Sequence, residues 1–177
     1  MAPLVSGLEP EGVAARLDAN GRVFQALLEG VGPGQARWKP EPGKWALVEV
    51  VNHLADEEAE DFRRRLDLTL HRPGEPWPRI DPEGWAVERR YLERELAPSL
   101  ERFLEERSRS LSWLKGLRAP ALERAYRHPT LGSVSAGDLL ASWLAHDLIH
   151  IRQITRLHHQ WLGVQAAPYG TSYAGPF

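Results

Sequence analysis

The sequence predicts an all-α protein, a four-helix bundle with a long crossover between its second and third helices. Three observations support this fold class. Four segments repeat their apolar residues with the period of a helix, clusters of proline and glycine separate these segments, and no stretch alternates apolar and polar residues as a strand would. A chain of 177 residues can bury the core of one such domain, so we expect residues 1–177 to form a single domain.

The first two helices are predicted on either side of a loop rich in turn-forming residues. The first extends from Glu9 to Glu29 and ends at the glycine-rich turn of residues 30–34. The second extends from Trp45 to Leu70. Its apolar face comprises Val48, Val51, Leu54, Phe62 and Leu66. Three prolines between residues 73 and 78 cannot continue this helix and predict an extended crossover.

The third helix is predicted from Pro82 to Leu117, with a kink or break at Pro98. Residues 126–134 contain a proline and a glycine and favour a loop or a short hairpin. The fourth helix extends from Ala136 to Leu162. Ser135 precedes it and can accept a hydrogen bond from a free N–H of the first turn.

Composition excludes several classes of function. The chain has no cysteine, which excludes disulfides, thiolate metal sites and a cysteine nucleophile. A formal net charge of −2 gives no basic footprint for nucleic acid. Residues 1–10 do not resemble a secretory signal, and no apolar run approaches the ~18 residues of a membrane span. We therefore expect a cytoplasmic protein that binds neither nucleic acid nor membrane.

Two histidines on the fourth helix are the strongest functional signal. His146 and His150 are four residues apart, which places them on one face of a helix, one turn from each other. Neutral imidazole is the commonest protein ligand for first-row metals. The same row contains Trp143 and Gln153, so polar side chains interrupt an apolar row that faces the core. Burial of polar groups is costly unless they are hydrogen-bonded or bound to a metal.

His53 supplies a candidate third ligand from the second helix, where it occupies an inward row with Glu57 one turn further along. A single inward histidine is most often a hydrogen-bonded core residue, so the metal interpretation depends on all three together. If the two helices pack side by side, three imidazoles meet and a fourth coordination position stays open, as in catalytic sites. Gln153 or Glu57 could orient the bound group, and ordinary packing is the alternative for both.

The run from His146 to His150 is also a variant of the zincin motif, in which a glutamate serves as general base. Here the corresponding residue is Asp147, whose side chain is one methylene shorter, and the position of a metzincin's third ligand is Arg156. A metalloprotease is therefore disfavoured. We expect Asp147 either to support the ligands from behind or to face solvent.

Two passages of the chain, residues 43–58 and 135–154, resemble the DinB/YfiT-like family of bundle proteins. The first has the entry Lys44-Trp45 followed by His53-Leu54-Ala55-Asp56, and the second ends in the pattern His-Asp-x-x-His-x-x-Gln. The resemblance implies a four-helix bundle with an unusual connection order, often a homodimer, and a divalent metal held by three histidines. By position these are His53, His146 and His150.

The resemblance also bears on activity. The family includes transferases that join a low-molecular-weight thiol such as bacillithiol to electrophiles, and proteins similar to mycothiol-dependent isomerases. It implies a metal-dependent enzyme with a small-molecule substrate, with thiol S-transfer ahead of hydrolysis. A dimeric, non-catalytic metal-binding protein linked to stress is the alternative. No signature for a particular thiol is visible, and three imidazoles suit zinc, nickel, iron or copper.

A homodimer is also expected from the last helix, which has more apolar residues than one buried stripe requires. The surplus comprises Leu140, Leu144, Leu148 and Ile151.

Overall fold

The computed structural model of the protein describes residues 8–177; residues 1–7, within the stretch that does not resemble a secretory signal, lie outside it. Four long helical segments confirm the predicted bundle. The elements in chain order are α1 (Pro10–Leu28), α2 (Pro33–Arg37), α3 (Leu47–Asp56), a π-helical segment (Glu57–Phe62), α4 (Arg63–His71), α5 (Pro82–Glu88), a 3-10 turn (Tyr91–Glu93), α6 (Leu96–Gly116), β1 (Ala125–His128), β2 (Gly132–Ser135), α7 (Ala136–Ala166) and a second 3-10 turn (Ser172–Ala174).

The bundle consists of α1, the continuous helix formed by α3, the π-helical segment and α4, and the long helices α6 and α7. Helix α1 packs against α6 and α7, and the continuous helix packs against the same two. Helix α1 and the continuous helix therefore lie at diagonal corners of the bundle. The long crossover after α4 contains α5 and leads into α6.

The start of α7 confirms the predicted cap. The Ser135 hydroxyl accepts a hydrogen bond from the backbone N–H of Asp138 at 3.0 Å, and the Asp138 carboxylate accepts one from the Ser135 N–H at 2.8 Å. This reciprocal pair is a capping box, which satisfies two donors at the helix start. Upstream of it, β1 and β2 form an antiparallel hairpin, one of the two structures predicted for residues 126–134.

The prediction of one helix from Pro82 to Leu117, kinked at Pro98, is wrong. The chain breaks earlier, between α5 and α6, where Arg90 adopts a left-handed conformation with φ of 53°. Pro98 is the third residue of α6. The first four N–H groups of a helix have no partner within it, so a proline there costs no hydrogen bond.

The surplus apolar surface on α7 is smaller than predicted. Leu140 is fully buried, and Leu144 and Ile151 pack partly against the core. Leu148 is 58% exposed, and the neighbouring Ile149 is 52% exposed. The homodimer stays a prediction, and these two side chains are the surface on which it depends.

The core has two apolar clusters separated by a polar layer. One cluster contains Leu17, Phe62, Leu114 and Trp143, and the other contains Phe24, Leu54, Phe103 and Ile154. Between the two clusters, each of the four bundle helices contributes one polar residue. These residues are Asn20 on α1, Glu58 on the π-helical segment, Arg107 on α6 and Asp147 on α7.

Arg107 is the centre of the polar layer and is 2% exposed. Its guanidinium donates to both carboxylate oxygens of Asp147 at 2.7 and 2.8 Å, to Glu58 at 2.9 Å and to the carbonyl of Leu17 at 2.8 Å. Glu58 also accepts a hydrogen bond from Trp143 Nε1 at 2.7 Å. One side chain therefore joins all four bundle helices, and Asp147 supports the bundle from within and does not face solvent.

Replacement of Arg107 by methionine should destabilise the fold severely. The change leaves two buried carboxyl groups without their cation, which typically costs about 3–5 kcal/mol of the free energy of unfolding. Arg22→Met is the matched control, because Arg22 pairs with Asp18 on the surface and should change stability by less than about 1 kcal/mol. Urea unfolding followed by circular dichroism measures both. Equal stability of the two variants would contradict the role assigned to Arg107.

Candidate metal centre

Three histidine side chains from two helices converge on one point. His53 comes from α3, and His146 and His150 come from successive turns of α7. The Nε2 atom of His53 lies 3.2 Å from the Nε2 atom of each of the other two, and those two are 3.1 Å apart. The expectation that the two helices pack side by side and bring the three imidazoles together agrees with this geometry.

The spacing of the three Nε2 atoms suits a cation. Each of the three Nε2 atoms presents either a proton or a lone pair to the other two. At least two of the three must therefore present the same kind of group, and those two nitrogens repel each other. A cation that accepts all three lone pairs removes the conflict. Nitrogens 3.1–3.2 Å apart can all lie at the ~2.0–2.1 Å typical of zinc–imidazole bonds.

All three imidazoles are neutral in the metal-free protein at neutral pH. Burial, with help from the charge on His150, lowers the pKa of His53 to about 3. Burial and the other two histidines lower the pKa of His146 to about 2. Burial also lowers the pKa of His150, although a hydrogen bond with Gln153 opposes the shift. Neutral imidazole is the form that binds metals, so the site needs little deprotonation to receive one.

Gln153 holds one ligand in the correct tautomer. Its carboxamide oxygen accepts a hydrogen bond from His150 Nδ1 at 2.7 Å. Because the proton is on Nδ1, the lone pair of that ring is on Nε2 and points towards the other two histidines. The sequence suggested Gln153 as a group that orients the metal-bound molecule. In the structure Gln153 orients the His150 ring, from the outer side of the site.

Glu57 also lies on the outer side of the site, with one carboxyl oxygen 3.7 Å from His53 Nδ1. Burial, followed by the nearby carboxyl of Asp61, raises the pKa of Glu57 to about 9. The Glu57 carboxyl is therefore protonated at neutral pH. It is 4% exposed, and we find it behind a ligand, away from the cleft described below.

Aromatic rings restrict the ligand side chains. The Trp45 ring packs on His53 with centroids 4.8 Å apart, and the Phe62 ring packs on His146 at 5.1 Å. Asp147, the neighbour of His146, is bound by Arg107 in the polar layer. The same contact that joins the bundle therefore sets the position of α7 at its metal-facing turn.

A cleft of about 680 Å³ gives access to the site. His53, His150 and Gln153 line one side of it, and the start of α5, with Asp81 and Glu83, lines another. The sequence marks Asp81 and Pro82 as a helix start, but no residue spacing places that start beside His53. The contribution of α5 was missed for this reason.

The other four histidines have ordinary partners. His71 pairs with Asp67, His128 accepts from the N–H of Thr130, His158 bonds to Gln35, and His159 stacks on Phe177. Among residues 8–177, the group formed by His53, His146 and His150 is the one with the spacing of a metal site.

Comparison with known proteins gives three results. The family model of the DinB superfamily matches residues 16–154. A protein of Oceanobacillus iheyensis named "Putative metal-dependent hydrolase" is 33% identical over 118 residues, which are 65% of this chain and 66%, just under two thirds, of that protein. The solved structure of YfiT from Bacillus subtilis, described as "a probable metal-dependent hydrolase with an unusual four-helix bundle topology", superposes with a TM-score of 0.77 at 21% identity. That match covers 91% of this chain and 92% of YfiT.

Between residues 8 and 177, no helix combines the length and the apolar character that a membrane span requires.

Replacement of His150 by alanine should remove metal binding and leave the bundle folded. Loss of a ligand should weaken metal affinity by more than the 10–100-fold typical of losing an outer hydrogen-bond partner. His71→Ala is the control, because His71 is exposed and lies outside the group. Zinc titration measures affinity, and circular dichroism measures helix content. Equal zinc affinity in His150→Ala and the parent protein would remove His150 from the site.

The metal-free protein should lose stability as the pH falls below about 6.5. The pKa of His146 is about 2 in the folded state and near 6.5 in the unfolded state, so between these values the unfolded state binds an extra proton. The free energy of unfolding then falls by about 1.4 kcal/mol per pH unit for this group.

Comparison with His146→Gln isolates that loss, because other titrating groups are common to both proteins. In urea unfolding with EDTA from pH 6 to pH 4, the parent should lose stability faster than the variant. Parallel pH profiles would contradict the neutral, buried state of His146.

Proposed function

The chain belongs to the DinB superfamily, and on that basis we propose that it is a metal-dependent enzyme whose divalent cation is held by His53, His146 and His150. The observation that supports this most is the set of three neutral imidazoles, with Nε2 atoms within 3.2 Å of each other, beside an open cleft. Structural zinc sites fill all four positions with protein ligands, whereas three protein ligands and a free position are typical of catalysis.

The nucleophile that suits this site best is the sulfur of a low-molecular-weight thiol. A divalent cation lowers the pKa of a thiol or a water that binds to it. Neither Gln153 nor Glu57 offers a base to assist: the carboxamide does not titrate, and the carboxyl is protonated and lies behind His53. The carboxylates in the cleft lining, Asp81 and Glu83, belong to the opposite wall, and that of Asp81 already caps α5. A thiol, with a pKa near ~8.5, needs a much smaller shift than water, near ~15.7.

The favoured activity is therefore transfer of the thiol sulfur to an electrophile. The chain has no cysteine, so the thiol would arrive as a cosubstrate. His150 and Gln153 line the cleft through which both substrates would enter. In this proposal Gln153 is a positioning residue, because it acts through the His150 ring.

Hydrolysis is the second candidate, and the names of the Oceanobacillus iheyensis protein and of YfiT favour it. In that case water takes the place of the thiol in the same position. A metal-binding protein without turnover is the third. Zinc, nickel and iron all suit the three imidazoles, and the choice among them belongs to this proposal.

With zinc kept at a concentration that saturates the site, replacement of Gln153 by alanine should lower turnover by about 10–100-fold, because His150 loses its orienting partner. Gln165→Ala is the control: Gln165 is exposed on the same helix. The assays are thiol-dependent consumption of an aryl halide and thiol-free hydrolysis of an aryl ester, each with metal analysis of the same sample.

The two assays separate the candidates. Metal-dependent turnover that requires thiol supports the transferase, and ester hydrolysis without thiol supports the hydrolase. Undiminished turnover in metal-free His150→Ala would overturn both. Failure of the parent protein in both assays would favour the non-catalytic candidate.

A further inference from the structure

A second cleft adjoins the three-histidine cleft and contains basic side chains. Its volume is about 220 Å³, and it shares Lys44, Trp45 and Gln153 with the larger cleft. Arg156 completes its basic lining from α7. Within the part of the chain that the structure describes, neither Lys44 nor Arg156 forms an ion pair. Both side chains are exposed at the cleft and free to bind an anion.

The charges around the two clefts are distributed unevenly. The acids Asp81 and Glu83 line the wall of the larger cleft that α5 provides, and the Asp81 carboxylate already caps that helix. The smaller cleft has two cations and one acid, Glu41. A molecule with a negative end would therefore be drawn towards α7 and repelled from α5.

The smaller cleft lies further along α7 than the ligands. Arg156 is six residues beyond His150, about 9 Å along the helix axis and about 120° around it. Between them, the Trp45 ring and Gln153 line both clefts and offer a flat apolar wall and a carboxamide. The guanidinium of an arginine matches two oxygens of a carboxylate or a phosphate.

We propose that the substrate or cosubstrate of the three-histidine site carries an oxyanion, a carboxylate or a phosphate, that binds Lys44 and Arg156 in the smaller cleft beside that site. The proposal rests on the proposed function, because it takes the three histidines as the place of reaction. It adds a substrate class and two residues that determine specificity.

Two matched probes test the proposal by binding alone. Each is a hydroxamate, which ligates zinc, on a flexible alkyl tether that can reach from the three-histidine cleft into the smaller one. One probe ends in a carboxylate and the other in the neutral primary amide. Calorimetry on zinc-loaded protein at low salt should show the carboxylate probe binding about three- to tenfold more tightly, the scale of exposed charge pairs. This advantage should shrink at about 0.5 M salt, because salt screens the attraction between exposed charges.

Variants assign that advantage to residues. It should disappear in the Lys44→Gln/Arg156→Gln double variant and grow in Glu41→Gln, which removes the acid from the smaller cleft. Arg118→Gln is the control, since Arg118 is exposed and lines neither cleft. A third probe that ends in a phosphate distinguishes the two oxyanions, and the tighter of the two identifies the preferred group.

The outcomes separate this proposal from the one on which it rests. Equal affinity for the carboxylate and amide probes would overturn the anion site and leave the metal site intact. An advantage that persists in the double variant would also overturn it. Failure of both probes to bind the zinc-loaded protein would contradict the open coordination position, and with it both the proposed function and this proposal.

Discussion

The buried Arg107 guanidinium, with its two carboxylates, is the constraint on which the rest of the structure depends. A charge taken out of water is costly unless it is paired and fully hydrogen-bonded, and Arg107 meets that condition through Asp147, Glu58 and the Leu17 carbonyl. A bundle of leucine and aromatic residues could slide by one turn at modest cost. A slide by one turn here would separate Asp147 from Arg107, so the polar layer selects one register of the four helices.

That register determines the geometry of the site. Asp147 lies between His146 and the turn that carries His150, so its ion pair fixes the rotation and height of α7 at this point. Glu58 does the same for the helix that carries His53, five residues earlier. The positions of the three ligands must be correct to within a few tenths of an ångström. The Arg107 guanidinium, which binds both ligand helices, holds them in that position.

The sequence allowed the prediction of those features that depend on a local period. Apolar residues every three or four positions predicted the helices, and two histidines at one-turn spacing, with His53 on an inward row, predicted which imidazoles would meet. The break at Arg90 and the π-helical turn after Asp56 were missed, because the apolar period continues through both and neither has a residue signature. The sequence left two roles open for Asp147, because its partner, Arg107, lies 40 residues away.

The distance along the chain between the ligands has a further consequence. His53 and His146 are 93 residues apart, and the chain has no cysteine. A cation held by both would join two distant parts of a polypeptide that cannot form a disulfide. Because the unfolded chain does not hold the site together, the free energy of metal binding would add to the stability of the fold. The same ion would then stabilise the fold as well as take part in the reaction. Its departure would leave the two ligand helices joined by side-chain packing and by the polar layer around Arg107.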